Sequence, residues 1–566
     1  MKYKLIGEPQ MDILTTVLYN RNIENLSEFL NPDVERTNPF NFKMMKKGIE
    51  ILSECIDNEL KIGILVDTDC DGYTSAALIY NFIKDILNYS NVKVLFHDKD
   101  KAHGLVDNVM EQISNSELGL IICPDSSSSD IEQQKEIVSQ GTSILILDHH
   151  IFEEEFVHDK VALINNQEGP HVNNTFSGVG VTYEFVCAYC SYYSIELPKY
   201  KYLDLVAIGN IADVMDLRNL ENRMICKRGL DNIENKYFKE LFSRRDIEIP
   251  TIVDVAFNIA PEINAVIRMG SKEDKLKLFH VLTGRDYFVT YKLRGGEETM
   301  VHISKEVVKI SSSLRNKQRT SVKKIIEKLK PQVDSFQDKN ILIIKIESDT
   351  PYSLTGLIAT QLAKQNKKNC IVLRESSETP NTYTGSARAY SDMNFKDLCS
   401  ETNLFNFCAG HQGSFGVSLD MDKLDIIIDT LDNLLQGTTG EVVYEVDYVI
   451  QGRDLRFGDV KAIADLKHLW GNGIEEPIFA ITNINIPHST IKQLTRSTVG
   501  FNYNKVNFVK TFAPSGFLED ISCKQFVKFK PINIQLNIVC KFVDTKYGPQ
   551  VQIVDFESKP YEEVLW

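Results

Sequence analysis

Between residues 42 and 150, short and wholly apolar runs alternate with segments whose apolar residues recur at helical spacing. Ile64, Leu65 and Val66 close one such run, and Asp67, Asp69, Asp71 and Gly72 follow at once. A run apolar on both faces predicts a buried parallel strand. Beyond it, Ala76, Tyr80, Ile83 and Leu87 predict a helix over 73–89. A helix over 42–56 leads into a strand at 63–66, and further strands are expected at 92–96, 119–123 and 144–147 with helices between them. Helices continue to about residue 245. Such alternation implies right-handed crossovers and a mostly parallel sheet. The fold class expected is α/β.

The remaining chain divides by pattern. Residues 1–45 read as a lead-in, with a small helix over 23–30 ended by Pro32. Residues 46–250 form the first α/β unit, and 251–335 a helical connector. Within the connector, 305–330 is a charged helix ended by Pro331, its charges either a nucleic-acid contact or a solvated face. A second α/β unit spans 336–436, starting from a strand at 341–346. The segment 436–440 is a turn-rich boundary. Residues 441–566 read as strands and short turns, with a helix over 457–470.

The 566 residues suffice for three or four domains. A formal charge of −15 argues against general adhesion to nucleic acid and leaves room for a local basic groove. Several of the eleven cysteines, Cys123, Cys370 and Cys540 among them, lie in apolar strand-like runs, which suits reduced thiols. Cys187 and Cys190 form one CxxC without a second pair at zinc spacing, so a helix face is the expected reading. No apolar leader and no run of membrane-spanning length is found. The expectation is a soluble cytoplasmic protein with no membrane contact, from a bacterial cell or a virus infecting one.

Candidate chemistry gathers at strand ends. Besides Asp67, Asp125 follows the run 120–124, and Asp148, His149 and His150 follow 144–147. In a parallel sheet these ends share one edge, so the side chains can converge. Clustered carboxylates repel unless a cation holds them, and Asp oxygens with imidazole suit Mn²⁺ or Mg²⁺. Two ions about 3.5–4 Å apart would activate water and stabilise the attacking and leaving oxygens. The competing reading of Asp67–Asp71 is an acidic turn in which Asp71 caps the following helix. Three acids in five residues count against it.

The segments D-T-D-C-D-G (67–72), Pro124-Asp125, Asp148-His149-His150 and G-N-I-A-D (209–213) resemble, in order and spacing, the four motifs of the DHH phosphoesterase superfamily. The resemblance implies that Asp67, Asp69 and Asp125 hold one ion. It implies that Asp71, Asp125, His149 and Asp213 hold the other, with Asp125 bridging. Asp148 would orient the histidines, and His150 would contact the scissile phosphate or act as an acid. The serine run 126–129 departs from a motif that often carries glycine. Asp204 and Asp216, flanking the fourth motif, are expected at a helix end or in solvent.

Further similarity is to the RecJ-type single-strand exonucleases. It is carried by Glu221-Asn222-Arg223, by A-P-E-I-N (260–264) and by Arg268 and Met269. Glu262 and Ile267 depart from the arginine and glycine usual in that group. Gly385, Ser386 and Arg388, with G-H-Q-G-S-F-G (410–416), resemble the DHH-associated (DHHA1) domain, implying phosphate binding by Gly385, Ser386, Arg388, Gly410 and His411, with Arg268 nearby. Phe415 stands where a small residue is usual and is expected to narrow that pocket. Trp470–Gly473 and Pro477–Phe479 resemble the OB-like domain of the same enzymes. There Lys492, Arg496, Lys505, Lys510, Lys524, Lys528 and Lys530 interleave with Phe501, Tyr503, Phe508, Phe526 and Phe529. The lysines as a group suggest single-stranded DNA, and each aromatic alone suggests core.

The resemblance thus implies a monomeric, metal-dependent 5′→3′ exonuclease on single-stranded DNA. It would release 5′-mononucleotides in DNA repair or recombination, using two Mn²⁺ ions, with Mg²⁺ as the alternative. A helicase or a single-strand-binding protein would be its partner. Two rival readings stand beside it. One is a phosphodiesterase of short oligonucleotides or cyclic dinucleotides, and the other a catalytically silent replication scaffold.

Overall fold

The computed structural model describes residues 1–561 apart from 99–102, 170–171, 293–295, 378, 391–392, 437–442, 512, 515 and 528–531. The turn-rich boundary at 436–440 therefore lies almost wholly outside the described residues, as do Lys528, Phe529 and Lys530.

The first unit is built on a five-stranded parallel sheet in the order Val92–Phe96, Ile62–Val66, Leu120–Pro124, Ser143–Asp148, Val161–Asn165. The last of these strands was not expected. Alternating side chains are buried on both faces: Ile64 and Val66 join one core, and Leu65 joins the other. The larger core packs the helices Met45–Asp57, Cys70–Asn81, Gly178–Tyr192 and Leu203–Ala212. The chain leaves Ile62–Val66 toward one edge, then crosses to Leu120–Pro124 on its other side. The crevice where a parallel sheet takes its ligands thus opens between the ends carrying Asp67 and Asp125.

Residues 251–335 carry an unexpected hairpin, Phe288–Lys292 with Glu298–His302, and one long helix, Ile303–Asp334. Pro331 does not end that helix, which runs one further turn. So near the C-terminus, proline removes one N–H from an exposed turn that water can serve. The helix links two cores: Val307 and Val308 belong to the first unit, while Val322 packs with Leu342 and Ile344 beneath the second.

The second unit is a mixed five-stranded sheet in the order Phe407–His411, Ser414–Asp420, Thr382–Arg388, Asn369–Glu375, Ile341–Lys345. The C-terminal unit is a seven-stranded, mainly antiparallel sheet compatible with an OB-like domain, and its helix is shorter than expected, Phe457–Ala464. Residues of the lead-in pack on this last unit. Lys2–Leu5 pairs in parallel with Val443–Val446. Ile13, Val17 and Ile23 sit in one core with Ile450 and Val460, and Arg21 pairs with buried Asp447 at 2.5 Å.

Candidate metal centre

Asp69, rather than Asp71, caps the helix Cys70–Asn81: its Oδ1 accepts the Gly72 N–H at 2.9 Å. Gly72 is needed because a Cβ there would lie 2.6 Å from Asp67 Cβ. Asp71, one step into the helix, turns to a different neighbour. Its Oδ2 accepts the Gly178 N–H at 2.7 Å, and its Oδ1 accepts the Ser177 hydroxyl at 2.9 Å and the Val179 N–H at 3.2 Å. The three acids therefore face different directions from one short turn.

Asp125 has φ of 64° and Ser127 of 80°, so the backbone after Leu120–Pro124 twice enters the left-handed region that L-residues avoid. The Asp125 N–H donates to Leu147 O at 2.8 Å, tying this turn to the neighbouring strand. Within the serine run, the Ser128 N–H donates to Asp148 Oδ2 at 3.2 Å. Asp148 Oδ1 accepts the His149 N–H at 2.7 Å and contacts His150 Nδ1 at 2.8 Å. His149 Nε2 lies 3.3 Å from Asp125 Oδ1 and 3.4 Å from Asp213 Oδ2. Asp213 follows the helix Leu203–Ala212 as its C-cap.

Donor atoms converge in three groups, each within 4.8 Å: Asp67, Asp69 and Asp125; Asp71, His149 and Asp213; and Asp125, Asp148, His149 and His150. Asp125 Oδ1 and Asp213 Oδ2 are buried without a hydrogen-bond donor. Burial and mutual repulsion push Asp69, Asp71, Asp125 and Asp213 above the ordinary carboxylate range. Buried carboxylates so arranged, with lone pairs unmet, fit a divalent cation. Burial acts on Asp67 and Asp148 too, but it is overcome by His103 and His97 at the first and by His150 at the second, and both fall well below that range.

The two histidines beside Asp67 were missed. His97 is wholly buried with Nε2 3.5 Å from Asp67 Oδ1, and His103 Nδ1 lies 2.8 Å from Oδ2. The Asp67 charge, against burial, raises His103 to about 10. His97 directly follows the strand at 92–96, the same signal that marked His149, whereas His103 sits at no strand end and in no motif. Ser177 and Gly178 were missed for the same reason as His103.

The outer ring explains the fourth motif. A Cβ at Gly209 would lie 2.6 Å from Asp71 Oδ1. Asn210 Oδ1 accepts from Ser177, and its Nδ2 donates to Asn222 Oδ1 at 3.1 Å. Glu221 accepts from Thr37 and Asn173, while Arg223 donates to carbonyls of Phe29, His468 and Leu469. Glu221-Asn222-Arg223 is thus a buried joint between units. The loop of Trp470–Gly473 completes it: Asn472 Nδ2 donates to Ile211 O at 3.0 Å, and its carbonyl accepts the Leu217 N–H at 3.0 Å. Asp204 sits in the first turn of Leu203–Ala212, the helix end expected of it, but buried there, where it accepts the N–H groups of Glu234 and Asn235. Asp216 pairs with Arg218.

Arg268 lies in the field of Asp69, and Arg388 in that of Arg268. Burial, together with Arg268, lowers Arg388 to about 10. Ser386 Oγ meets Thr355 Oγ1 at 2.8 Å. Gly385 has a packing role, since a Cβ there would fall 1.9 Å from Val372 O. Gly410, with φ of 127°, and His411 pair in the edge strand with Phe415 and Ser414; the His411 side chain lies outside the described part. Phe415 is buried edge-on against Phe395 in the core of its unit. Glu262 is buried, paired with Arg245 and accepting from Ser312 at 2.9 Å.

In the C-terminal unit, Lys492, Arg496 and Lys505 are exposed. Lys510 instead donates to Val554 O, and Lys524 pairs with Glu519. Phe501 and Phe508 stack on one another in the core at 4.7 Å, whereas Phe526 is exposed.

Residues 61–210 match the model of the DHH family, N-terminal domain. Over 583 aligned residues, covering 98% of both chains, the protein is 31% identical to YorK, the SPbeta prophage-derived protein of Bacillus subtilis (strain 168) named as a single-strand DNA-specific exonuclease. It is 25% identical over 459 residues to the single-stranded-DNA-specific exonuclease RecJ of the same bacterium, covering 79% of this chain and 54% of that one. The crystal structure of RecJ from Thermus thermophilus in complex with Mn²⁺ superposes with a TM-score of 0.72 at 18% identity, over 97% of this chain and 76% of that one, a likeness of fold.

Proposed function

The chain belongs to the RecJ-type single-strand DNA-specific exonucleases of the DHH superfamily, and on that premise we propose that it hydrolyses single-stranded DNA from the 5′ end and releases 5′-mononucleotides, in DNA repair or recombination. The observation that carries this reading is the convergence of Asp67, Asp69 and Asp125 beside Asp71, His149 and Asp213, within the field of Arg268. Asp67, Asp69 and Asp125 would hold one divalent ion, and Asp71, Asp125, His149 and Asp213 a second. Mn²⁺ is preferred for its tolerance of imidazole, with Mg²⁺ as the alternative. Such a pair supplies Lewis acidity that activates water and offsets charge developing on the phosphoryl oxygens.

The chain's own residues do the rest. Asp71, held by three donors at the head of Gly178–Tyr192, keeps its carboxylate fixed beside His149 and Asp213. Asp148 grips His150 through Nδ1, leaving Nε2 to meet a phosphate oxygen or to protonate the departing 3′-oxygen. Arg268 and Arg388 would orient the strand's phosphates from across the cleft, with Gly385, Ser386, Gly410 and His411 at its far wall. Exposed Lys492, Arg496 and Lys505 would hold the strand further out. The protein would act as a monomer, supplied with single strands by a helicase or a single-strand-binding protein.

The test is Mn²⁺-dependent digestion of a long single strand labelled separately at each end, with Asp125→Ala as the control. Early release of the 5′ label as a mononucleotide, lost in the variant while strand binding persists, is expected. Early release of the 3′ label would overturn the polarity, and turnover by the variant would overturn the site.

A further inference from the structure

A groove of about 950 Å³ runs between the long helix Ile303–Asp334 and the helix Thr355–Asn366. One wall carries Arg315, Arg319, Lys323 and Lys330, and the acids Glu327 and Asp334 also line it. The lining is therefore net cationic in a chain of formal charge −15. Lys323 leans toward Glu327 at 4.0 Å, whereas Arg319 and Lys330 are exposed and form no ion pair among the described residues. Arg319 has cations, Arg315 and Lys323, and no acid at helical spacing, which leaves its charge for something else.

The chemistry of the walls narrows that something. Arg315, Arg319 and Lys323 stand four residues apart, so each step along the helix is about 6 Å, close to the distance between neighbouring phosphates of an extended single strand. The floor is apolar, from Val322, Ile326, Leu357 and Leu362, and the opposite wall offers the amides of Gln361 and Gln365. Gln318 lines the groove from within, 2% exposed, with its Nε2 lacking a hydrogen-bond partner. Phosphate-spaced cations, an apolar bed and amide edges suit a strand whose bases are unpaired. A duplex keeps its base faces stacked inside and has no use for such a bed.

The groove also joins the reaction site. Arg315 lies in the field of Arg268, which faces Asp69. At the other wall, a Cβ on Gly356 would lie 2.5 Å from Arg388 Nη2, so the head of Thr355–Asn366 abuts that guanidinium. We propose that the groove between these two helices is a second single-strand binding track, holding the stretch of strand continuous with the end at the acids. This deepens the exonuclease reading and rests on it.

The experiment compares Arg319→Gln/Lys330→Gln with Lys324→Gln/Lys328→Gln, the latter pair lying on the same helix outside the groove. Binding of a long single strand is followed by fluorescence anisotropy against salt, with chelator present so that no cleavage occurs. Each lost phosphate contact on a single strand lowers the slope of log K against log salt by about 0.7, so the groove pair should reduce it by about 1.4 and the control pair should leave it unchanged. In Mn²⁺ the groove pair should raise KM for the long strand several-fold while hydrolysing a tetranucleotide at the unaltered rate. Equal slopes for both pairs and the parent protein would overturn the track, as would an acidic peptide that competes as well as the strand. If the parent protein binds single strands but digests none, the exonuclease reading fails, and the slopes still decide whether the groove binds them.

Discussion

A Cβ on Gly178 would lie 2.4 Å from Asp125 Cβ, so the head of the helix Gly178–Tyr192 rests directly on the carboxylate where the two groups of acids meet. The same glycine's N–H holds Asp71 at 2.7 Å. Two donors to the candidate ions therefore take their positions from one residue that contributes no side chain.

Gly178→Ala should therefore displace Asp125 while the rest of the helix stays folded, because the clash includes the Asp125 backbone. Displacing the support of a ligand typically costs 10- to 100-fold in metal affinity. Calorimetric titration with Mn²⁺ is expected to show a fall of about that size. Unchanged affinity would mean that the contact relaxes without cost to the site.

Asp148→Asn keeps the shape of the side chain and removes the charge that holds His150. Its loss should reduce hydrolysis by about 10- to 100-fold, with the thermal transition moved only slightly. Steady-state rates on a labelled single strand measure it. Wild-type rates would remove Asp148 from the orienting role.

The raised carboxylates set a pH dependence with a definite sign. A group whose folded pKa is raised binds more protons folded than unfolded, so its contribution to stability falls as pH rises from the ordinary carboxylate range through the raised value. Asp69, Asp71, Asp125 and Asp213 all act in this direction. Asp67 and Asp148, held low, act oppositely, but only at more acidic pH. Cations displace those protons, so the gain in melting temperature from saturating Mn²⁺ should grow from about pH 5 to about pH 8. A gain that does not vary with pH would argue against this cluster as the binding site.

Asn472→Ala removes one donor from the Ile211 carbonyl, which keeps the Val214 N–H at 3.2 Å. The expected cost is about 0.5–1.5 kcal/mol of stability by denaturant titration. Because Ile211 precedes Asp213 by two residues, Mn²⁺ affinity should fall as well. Lost stability with unaltered affinity would show that the joint supports the fold and not the ligand.

Arg21→Ala breaks a buried pair and strands Asp447 without its cation. A destabilisation of about 3–5 kcal/mol is expected, with Mn²⁺ affinity unchanged. An equal loss of affinity would tie the lead-in to the metal centre.

The strand ends and their acids were legible from residue order, since a parallel sheet brings its C-terminal ends to one edge whatever the helices do. That rule was enough to name Asp67, Asp69, Asp71, Asp125, Asp148, His149 and His150 as neighbours, whereas Asp213, at the end of a helix, came only from the family resemblance. The rule could not say that Asp69 and not Asp71 caps the helix, because both offer the same chemistry and only the path of the backbone chooses. Nor could it find His103, Ser177 or Gly178, whose roles are contacts across tens of residues with no periodic trace, although His97, at the end of 92–96, falls under the same rule. Residues 2–30 read as a lead-in, and only packing against Ile450 and Val460 gives their apolar positions a core. Phe415 went the same way: side-chain type suggested a pocket wall, and burial against distant partners assigned it to the interior, while Asp204 sits at the helix end expected of it but is buried there. Periodicity and residue type are local, and they carry the elements and the reactive groups. Direction, burial and support come from long-range contacts, which exist only once the chain has closed on itself.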